Sequence, residues 1–374
     1  MSEAPRLWIP GPTYVRPEIL TECARPPIGH RTPEMGELLE RIGAHLPFLF
    51  GFEPGGGTRA AVSSTSATSV MEAALHGVGP RVLATVNGAF SKRWAEIAAG
   101  LGKQVWRLAV ELGSAPTPEQ LEQALDQHGP VDAVLVVANE TSTGVRTPLE
   151  PLAQVLAQQT ARPLLLVDVV TLAAGAPVDL DRLGIDFAVT GSQKALALPP
   201  GLAPFAASER YQATARRLQR PSFCLDPIRM LDGQAERKTP TTPAIGLHFA
   251  LARQLEDIST GTLETAPVRS PSEGWKARFE RHERLAQRTR QFADQQGLPP
   301  FPARAAWNSP TVACLTAPNG PQLVQALLKR GLRISGGYGE LAHRTIRIGH
   351  LGDATEDDLD RLLGALGSCL AELA

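Results

Sequence analysis

The amino-acid sequence predicts an α/β protein with a mostly parallel central sheet flanked by helices, followed by a smaller α+β domain. From about residue 60, short β-rich runs alternate with helical patterns, which is typical of the βαβ units that build parallel sheets. Some of these runs, such as 164–167, are apolar at every position, as strands buried on both faces of a parallel sheet are. Near residue 260 this alternation stops, which indicates that a second unit begins.

The predicted strands of the large unit are short runs rich in apolar residues. They are 81–86, 104–109, 133–137, 164–168, 187–190 and 203–207. Between them, apolar residues at helical spacing predict helices at 91–100, 118–127 and 149–158. Because parallel neighbours need crossover connections, we expect these helices to cover both faces of the sheet. The cluster Gly55-Gly56-Gly57 has no clear helix after it, so we interpret it as a turn rather than a dinucleotide-binding motif.

The remainder of the chain has a different pattern. The Thr-, Pro- and Ser-rich stretch 261–274 predicts a surface connection. From Trp275 to Ala293, apolar residues recur at helical spacing among mixed charges, which predicts a long, half-exposed helix. Strands at 311–315 and 345–348 and helices at 321–329 and 356–371 follow. We expect the proline-rich segment 7–18 to pack against this unit.

Length and composition limit the possible functions. The 374 residues are enough for two domains, and we predict a large domain at 19–260 and a small domain made of 1–18 and 261–374. Hydrophobic residues make up 43% and charged residues 20%, which is ordinary for a globular protein. A net charge of −1 gives no electrostatic footprint for nucleic acid or for an anionic membrane.

The cellular compartment can be predicted from the spacing of cysteine and histidine and from the first residues. The four cysteines are far apart in the sequence, and neither they nor the eight histidines have metal-ligand spacing. The first residues lack the basic and apolar regions of a signal peptide, and no apolar run approaches the ~20 residues that cross a bilayer. We therefore predict a cytoplasmic protein with reduced thiols, no structural metal and no membrane partner.

Two ionisable residues follow predicted buried strands. Asp168 ends one of these strands, and Lys194 lies just beyond the next. Ligands of open α/β sheets bind outside the carboxyl ends of the strands, where both residues would lie. An acid and an amine at such a site fit pyridoxal phosphate (PLP), which forms a Schiff base with a lysine and pairs its ring nitrogen with an acid. Taken singly, Asp168 also fits a turn acid and Lys194 a surface lysine, although the chain has only six lysines.

Further motifs lie at other predicted strand ends. Ser66, Ala67 and Thr68 belong to a hydroxyl-rich turn that opens a helix, which suits a phosphate but also suits a plain helix cap. Phe90 follows a strand and either stacks on a flat ring or packs in the core. Thr141 lies in a stretch whose hydroxyls could reach a cofactor oxygen. Arg347 interrupts an apolar strand, where it either binds a substrate carboxylate or forms a structural salt bridge.

In this order, the motifs resemble those of the class V aminotransferases, which are PLP enzymes of fold type I, and especially the alanine–glyoxylate and serine–glyoxylate (serine–pyruvate) group. The motifs that carry the resemblance are Pro10-Gly11-Pro12-Thr13, Gly29-His30-Arg31-Thr32-Pro33, Ser66-Ala67-Thr68, Asn139-Glu140-Thr141-Ser142-Thr143-Gly144, Val167-Asp168-Val169-Val170, Gly191-Ser192-Gln193-Lys194, Thr239-Pro240-Thr241-Thr242-Pro243 and Arg347-Ile348-Gly349. They run along nearly the whole chain.

The resemblance implies a role for each matching residue. Lys194 would be the Schiff-base lysine and Asp168 the partner of the pyridinium nitrogen. The residues Ser66, Ala67, Thr68 and Gln193 would hold the phosphate, Phe90 and Val170 would flank the ring, Thr141 would contact its phenolic oxygen, and Arg347 would bind the substrate carboxylate. The family also implies a homodimer with a shared active site, in which Thr241, with Thr242 as the alternative, reaches the phosphate of the partner subunit.

The resemblance implies a transaminase that moves an amino group from a small L-amino acid, alanine or serine, to glyoxylate or pyruvate. Ala67, Ser91 and Thr171 stand where the family commonly has glycine, glycine and serine, and these departures leave the substrate open. Aspartate, ureidoglycine or aminoethylphosphonate remain possible donors. A PLP-dependent lyase or cysteine desulfurase is a second reading, but Gln193 stands where a desulfurase usually has histidine. A non-catalytic binding protein on the same fold is a third.

Overall fold

The computed structural model describes residues 5–373, so the predicted assignment of residues 1–4 and 374 to the small domain lies outside the described part of the chain. The helices are α1 Pro17–Cys23, α2 Pro33–Gly43, α3 Leu46–Phe50, α4 Ala67–His76, α5 Ala89–Gly100, α6 Pro118–His128, α7 Leu149–Gln158, α8 Leu180–Leu183, α9 Glu209–Arg217, α10 Pro227–Ala235, α11 Ile245–Thr260, α12 Pro271–Gln295, α13 Gly320–Lys329 and α14 Glu356–Leu373. Short 3₁₀ turns lie at Ala305–Trp307 and Gly339–Leu341.

The strands form one large sheet and three small ones. They are β1 Arg6–Leu7, β2 Arg59–Ser63, β3 Arg81–Val86, β4 Gln104–Ala109, β5 Ala133–Val137, β6 Asn139–Glu140, β7 Val145–Arg146, β8 Leu164–Asp168, β9 Phe187–Val189, β10 Ala203–Ala207, β11 Val312–Thr316, β12 Leu332–Arg333, β13 Ser335–Gly336 and β14 Thr345–Gly349.

The central sheet has seven strands in the order β2-β10-β9-β8-β5-β3-β4. The five strands from β9 to β4 are parallel, whereas β10 runs antiparallel to both of its neighbours. Two separate apolar clusters cover the two faces of this sheet, because side chains alternate between the faces of each strand. The predicted α/β fold with a mostly parallel sheet is therefore confirmed.

The predicted strands agree closely with the observed ones, and the differences have local causes. The strand predicted at 187–190 ends at Val189, and Thr190 instead joins the turn that leads to Lys194. The edge strand β2 was not predicted, and it pairs only with the antiparallel strand β10. The helix predicted to start at Ser91 begins at Ala89, because side chains that are distant in sequence cap its first turn.

The predicted surface connection 261–274 is too long, and this part of the prediction is wrong. Helix α12 begins at Pro271, and the Ser270 side chain accepts a hydrogen bond from the Glu273 amide at 3.3 Å. Serine at the N-cap followed by proline at the first helical position is a strong start signal. The composition of the stretch obscured this signal.

The C-terminal part has its own sheet and core. Strands β11, β14 and β13 form a three-stranded antiparallel sheet, and α13, α14 and the later part of α12 cover it. Strand β1 pairs in parallel with β12, and Trp8 is buried in this core. The start of the segment 7–18 thus packs as predicted. No helix within residues 5–373 is long and apolar enough to cross a membrane.

A buried ionic network joins these parts. Asp353 is fully buried and accepts hydrogen bonds from Arg16 at 2.6 Å and from Arg278 at 3.1 Å. Arg278 also donates to the carbonyl oxygens of Ala174 and Ala195, which flank the two loops that follow β8 and β9. These contacts fix the loops of the candidate site to both ends of the chain.

Candidate active site

The candidate site lies at the carboxyl edge of the central sheet. Val137, Asp168 and Val189 are opposite one another in the register of β5, β8 and β9, so the three strands end together. Lys194 lies in the turn that follows β9, and Phe90 lies in the first turn of α5, directly after β3. This edge of a parallel sheet is where ligands of open α/β folds bind.

Asp168 is a buried acid at this edge. Its Oδ1 atom accepts a hydrogen bond from the Val170 amide at 2.7 Å. Burial raises the pKa of Asp168 to about 7, although the Val170 amide and the positive charges of Lys194 and Arg93 work in the opposite direction. A cationic partner would stabilise this carboxyl group as a carboxylate, and a protonated ring nitrogen is such a partner. Val170 lies beside Asp168, and its place at the ring stays a prediction.

Lys194 faces Asp168 from the next loop. Its Nζ atom donates a hydrogen bond to the Pro10 carbonyl oxygen at 2.6 Å. Burial lowers the pKa of Lys194 to about 8; the negative charge of Asp168 opposes this change, and the positive charges of Arg347 and Arg93 add to it. The amine is therefore partly neutral near neutral pH, as a nucleophile and proton carrier must be.

The N-terminus of α4 forms an open cradle. Ser66 is the N-cap residue, and its side chain accepts a hydrogen bond from the Ser69 amide at 3.3 Å. Among the described residues, the amides of Ala67 and Thr68 have no hydrogen-bond acceptor. Ser66 and Thr68 are exposed. Ser66 is thus a helix cap, and the cradle still has two free amides for an anion.

Gln193 precedes the lysine and is held through its backbone. Its carbonyl oxygen accepts a hydrogen bond from the Thr13 amide at 3.2 Å. Its side chain lies against Gly191 and has no hydrogen-bond partner among residues 5–373, which leaves the amide group available to a ligand.

Phe90 belongs to a cluster at the mouth of the site. Its ring lies 5.7 Å from the ring of Tyr338, centroid to centroid, and the Arg93 guanidinium lies 4.9 Å from the Phe90 centroid. Phe90 therefore does not pack in the large core. Glu140 and Ser142 hold this turn by accepting hydrogen bonds from the amides of Ser91 and Ala89, each at 3.0 Å.

Thr141 and Arg347 are joined to each other. The Arg347 Nη1 atom donates to the Thr141 carbonyl oxygen at 3.3 Å, and its Nε atom donates to the Gly336 carbonyl oxygen at 3.1 Å. The Thr141 hydroxyl lies 3.0 Å from the hydroxyl of Thr171. Arg347 is buried and forms no ion pair with any described carboxylate, so the structural salt bridge considered above is absent from residues 5–373. Such an arginine is available for a ligand carboxylate.

Thr241 and Thr242 lie apart from these groups. Both are exposed, and the Thr242 hydroxyl lies 3.5 Å from His30 Nε2. Two residues further on, the Ala244 amide donates to the Ser64 hydroxyl at 2.9 Å, next to the α4 cradle. The structure of one chain thus places neither threonine against Lys194 or Asp168.

Sequence reasoning missed three contributors to the site. Arg93 and Tyr338 are joined by a hydrogen bond of 3.2 Å at the site entrance, and the Pro10 carbonyl is the acceptor for Lys194. Arg93 could have been found, because it lies one helical turn after Phe90. Tyr338 lies in a glycine-rich stretch without a periodic pattern, and a carbonyl group has no signature in a sequence.

These groups fit pyridoxal phosphate. Asp168 suits the ring nitrogen, Lys194 suits the aldehyde carbon, and the free amides of α4 suit the phosphate. Arg347 remains for the carboxylate of an amino acid. The fold and the site thus define a PLP-dependent enzyme of fold type I.

Comparisons with known proteins narrow this class. The family model described as Aminotransferase class-V matches residues 56–264. An uncharacterised aminotransferase of Methanocaldococcus jannaschii is 35% identical, with 98% of this chain and 93% of the relative covered. An alanine–glyoxylate aminotransferase of Oryctolagus cuniculus is 32% identical, with 98% and 92% covered. The crystal structure of an aspartate aminotransferase of subgroup IV from Thermus thermophilus superposes with a TM-score of 0.86 at 30% identity, covering 98% of this chain and 99% of that one.

This chain belongs to the class V aminotransferases and is a PLP-dependent transaminase. The resemblance inferred from its motifs, the reaction class and the cofactor are therefore confirmed. The individual residue roles stay predictions.

Proposed function

We propose that this enzyme transfers the amino group of a small L-amino acid, alanine or serine, to glyoxylate or pyruvate. The observation that carries this proposal is Arg347, a buried guanidinium without a carboxylate partner in residues 5–373, which is close enough to Lys194 for its positive charge to lower the pKa of the lysine. An α-carboxylate is common to all of these substrates. The name of the Oryctolagus cuniculus relative supports alanine and glyoxylate.

In the proposed mechanism, each residue acts on a defined group. When bound, the cofactor supplies an electron-withdrawing ring that stabilises negative charge at the donor Cα. Asp168 would pair with the ring nitrogen and favour its protonated form, and Phe90 and Val170 would flank the ring. Thr141 would contact the phenolic oxygen, and the residues that would hold the phosphate are Ser66, Ala67, Thr68 and Gln193.

Lys194 and Arg347 act on the substrate. Arg347 orients the carboxylate with its planar fork, which aligns the Cα–H bond. Lys194 would hold the cofactor in the resting enzyme, and its free amine would accept the proton from the donor Cα and carry it during the transfer. Its pKa of about 8 lets the same amine accept and donate that proton near neutral pH.

We also propose a homodimer with a shared active site. In the single chain, the α4 cradle is open, with Ser66 and Thr68 exposed, although the reaction requires a site closed to water. Thr241 is exposed as well, and we propose that it reaches the phosphate in the partner subunit, with Thr242 as the alternative.

Two further predictions stay proposals. A small domain of 1–18 and 261–374 and a large domain of 19–260 are supported by the separate core around Trp8 and β14. A cytoplasmic location is supported by four free thiols, which a reducing compartment maintains.

A cysteine desulfurase or lyase is the second candidate, and the two cysteines of the C-terminal part do not offer the reactive thiol that a desulfurase needs. Cys314 pairs with Arg347 across the small sheet, but burial raises the pKa of its thiol to about 11. Cys369 is buried in α14. A thiol in this state is a poor nucleophile.

Replacing Lys194 by alanine tests the proposal. We expect the variant to lose the visible absorbance of lysine-bound cofactor and to lose turnover of alanine with glyoxylate, because the amine that bonds the cofactor and carries the proton is absent. Lys92→Ala, on the exposed face of α5, is the matched control. Turnover retained in the Lys194 variant would contradict the catalytic role of Lys194. A separate screen of amino donors, including aspartate, against 2-oxo acid acceptors with the wild-type protein identifies the substrates.

A further inference from the structure

The N-terminal segment 8–13, called the strap here, connects the lysine loop to the strand that carries Arg347. At one end, the Trp8 carbonyl oxygen accepts a hydrogen bond from the Gly349 amide of β14 at 2.7 Å. At the other end, the Thr13 amide donates to the Gln193 carbonyl at 3.2 Å, and the Thr13 hydroxyl donates to the Lys194 carbonyl at 3.2 Å. The strap is therefore fixed on both sides of the site.

The middle of the strap touches the lysine amine. The Pro10 carbonyl oxygen accepts the hydrogen bond from Lys194 Nζ at 2.6 Å, and it is the only acceptor of Nζ among residues 5–373. Gly11 has a φ of +121°, and a Cβ atom at this position would lie 2.5 Å from Nζ and 2.5 Å from Cδ of Lys194. Only glycine leaves room for the lysine in this position.

We propose that the Pro10 carbonyl is the acceptor that holds the Lys194 amine whenever this amine is not bonded to the cofactor, and that Gly11 is required as the residue that admits it. Both are positioning residues. The inference rests on the proposed role of Lys194, and it extends that role to the half of the cycle in which the lysine is free.

Transamination gives such an acceptor a role. When the donor nitrogen replaces Nζ on the cofactor carbon, a new carbon–nitrogen bond forms and the bond to Nζ breaks. The two protons that the donor nitrogen loses end on Nζ, which leaves as a primary amine. This amine must stay close enough to reach the donor Cα, and a single hydrogen bond to a fixed carbonyl keeps it there without consuming its proton-carrying capacity.

The variant Gly11→Ala tests this inference, with Gly129→Ala as its matched control. Gly129 also has a positive φ, of +73°, but a Cβ atom there has nothing within 4 Å. Both variants thus share an unfavourable backbone conformation for alanine, and only Gly11→Ala displaces the lysine.

The measurement is the affinity of the cofactor-free protein for pyridoxal phosphate and for pyridoxamine phosphate, by calorimetry. The amine is free in the cofactor-free protein and in the pyridoxamine phosphate complex, but it is consumed in the pyridoxal phosphate complex. Losing the Pro10 acceptor therefore destabilises the cofactor-free protein and the pyridoxamine phosphate complex, but not the pyridoxal phosphate complex. We expect the affinity for pyridoxal phosphate, relative to that for pyridoxamine phosphate, to rise about tenfold. An unchanged ratio, or equal weakening of both affinities, would overturn the inference.

Urea unfolding of the cofactor-free protein supplies a second readout. We expect Gly11→Ala to lower the free energy of unfolding more than Gly129→Ala does. This extra loss should disappear when Lys194 is also replaced by alanine, because no lysine is left to displace. Persistence of this difference would assign Gly11 a purely structural role. Borohydride reduction and peptide mapping of the wild-type holoenzyme separately test whether Lys194 bonds the cofactor, so failure of the proposed function is distinguishable from failure of the strap.

Discussion

Replacing Asp168 by asparagine should change how the stability of the cofactor-free protein depends on pH. The substitution keeps the shape of the side chain and removes its ability to ionise. In the wild-type protein, burial raises the pKa of Asp168 from 3.8 to about 7. Between these two values, the folded protein keeps the carboxyl proton while the unfolded chain has lost it. The stability contributed by this group is therefore present below about pH 4 and falls as the pH rises to about 7.

The size of the effect follows from the pKa difference. About three pKa units at ~1.4 kcal/mol each correspond to roughly 4 kcal/mol over the whole window. Between pH 5 and pH 7.5, roughly 2–3 kcal/mol of this loss occurs. The Asp168→Asn variant escapes this loss, so its stability relative to wild type should rise by that amount between the two pH values.

Urea unfolding of the cofactor-free proteins at pH 5.0, 6.0, 7.0 and 7.5 measures this difference. Comparing the variant with wild type at each pH cancels the contributions of the buried histidines, which titrate in both proteins. Asp126→Asn, at an exposed position of α6, is the control and should follow the wild type. A stability difference between Asp168→Asn and wild type that stays constant with pH would refute the reasoning, because it would mean that Asp168 ionises normally in the folded protein.

The remaining predictions concern the substrate and the partner subunit. Arg347→Ala should raise KM for donor and acceptor by about tenfold or more, because one charge-assisted bidentate contact is lost, whereas the exposed Arg344→Ala should stay near wild type in steady-state kinetics. Equal kinetics for both variants would remove Arg347 from substrate binding. Thr241→Val should weaken pyridoxal phosphate affinity by about tenfold and leave the affinity for unphosphorylated pyridoxal unchanged, while Thr242→Val should alter neither. The reverse result would assign the phosphate contact to Thr242.

The fold of the large sheet was predictable because its strands are decided locally. A run such as Leu164–Asp168 is apolar throughout and ends in an acid, and the structure buries it in the middle of the sheet. Strand β2, by contrast, is a short edge strand that contains arginine and serine and exists only because β10 pairs with it. Pairing between distant segments has no local signal.

The same distinction applies to the site. Asp168, Lys194 and Arg347 were predictable because an ionisable residue at the end of an apolar strand, or within one, is unusual. The role of Glu140 as a buried cap of α5 was not predictable, because it depends on the approach of a loop 49 residues away in sequence. The contact between Pro10 and Lys194 joins residues 184 positions apart and involves a backbone oxygen. The predicted roles could be named from residue types, but the groups that hold those residues in place required the folded chain.

The ionic network around Asp353 has a consequence for how far the central sheet alone could form the site. Arg16 and Asp353 are 337 positions apart, and Arg278 joins them to the loop after β8 and to the loop after β9, which carries Lys194. Without Asp353, Arg16 and Arg278 would lack their shared carboxylate, and Arg278 would be left as a buried cation with less compensation. The position of the lysine loop therefore depends on residues that lie outside the central sheet and far apart in the sequence. A variant without this carboxylate would retain the strand-end acid and lysine but would lose part of the frame that aligns them.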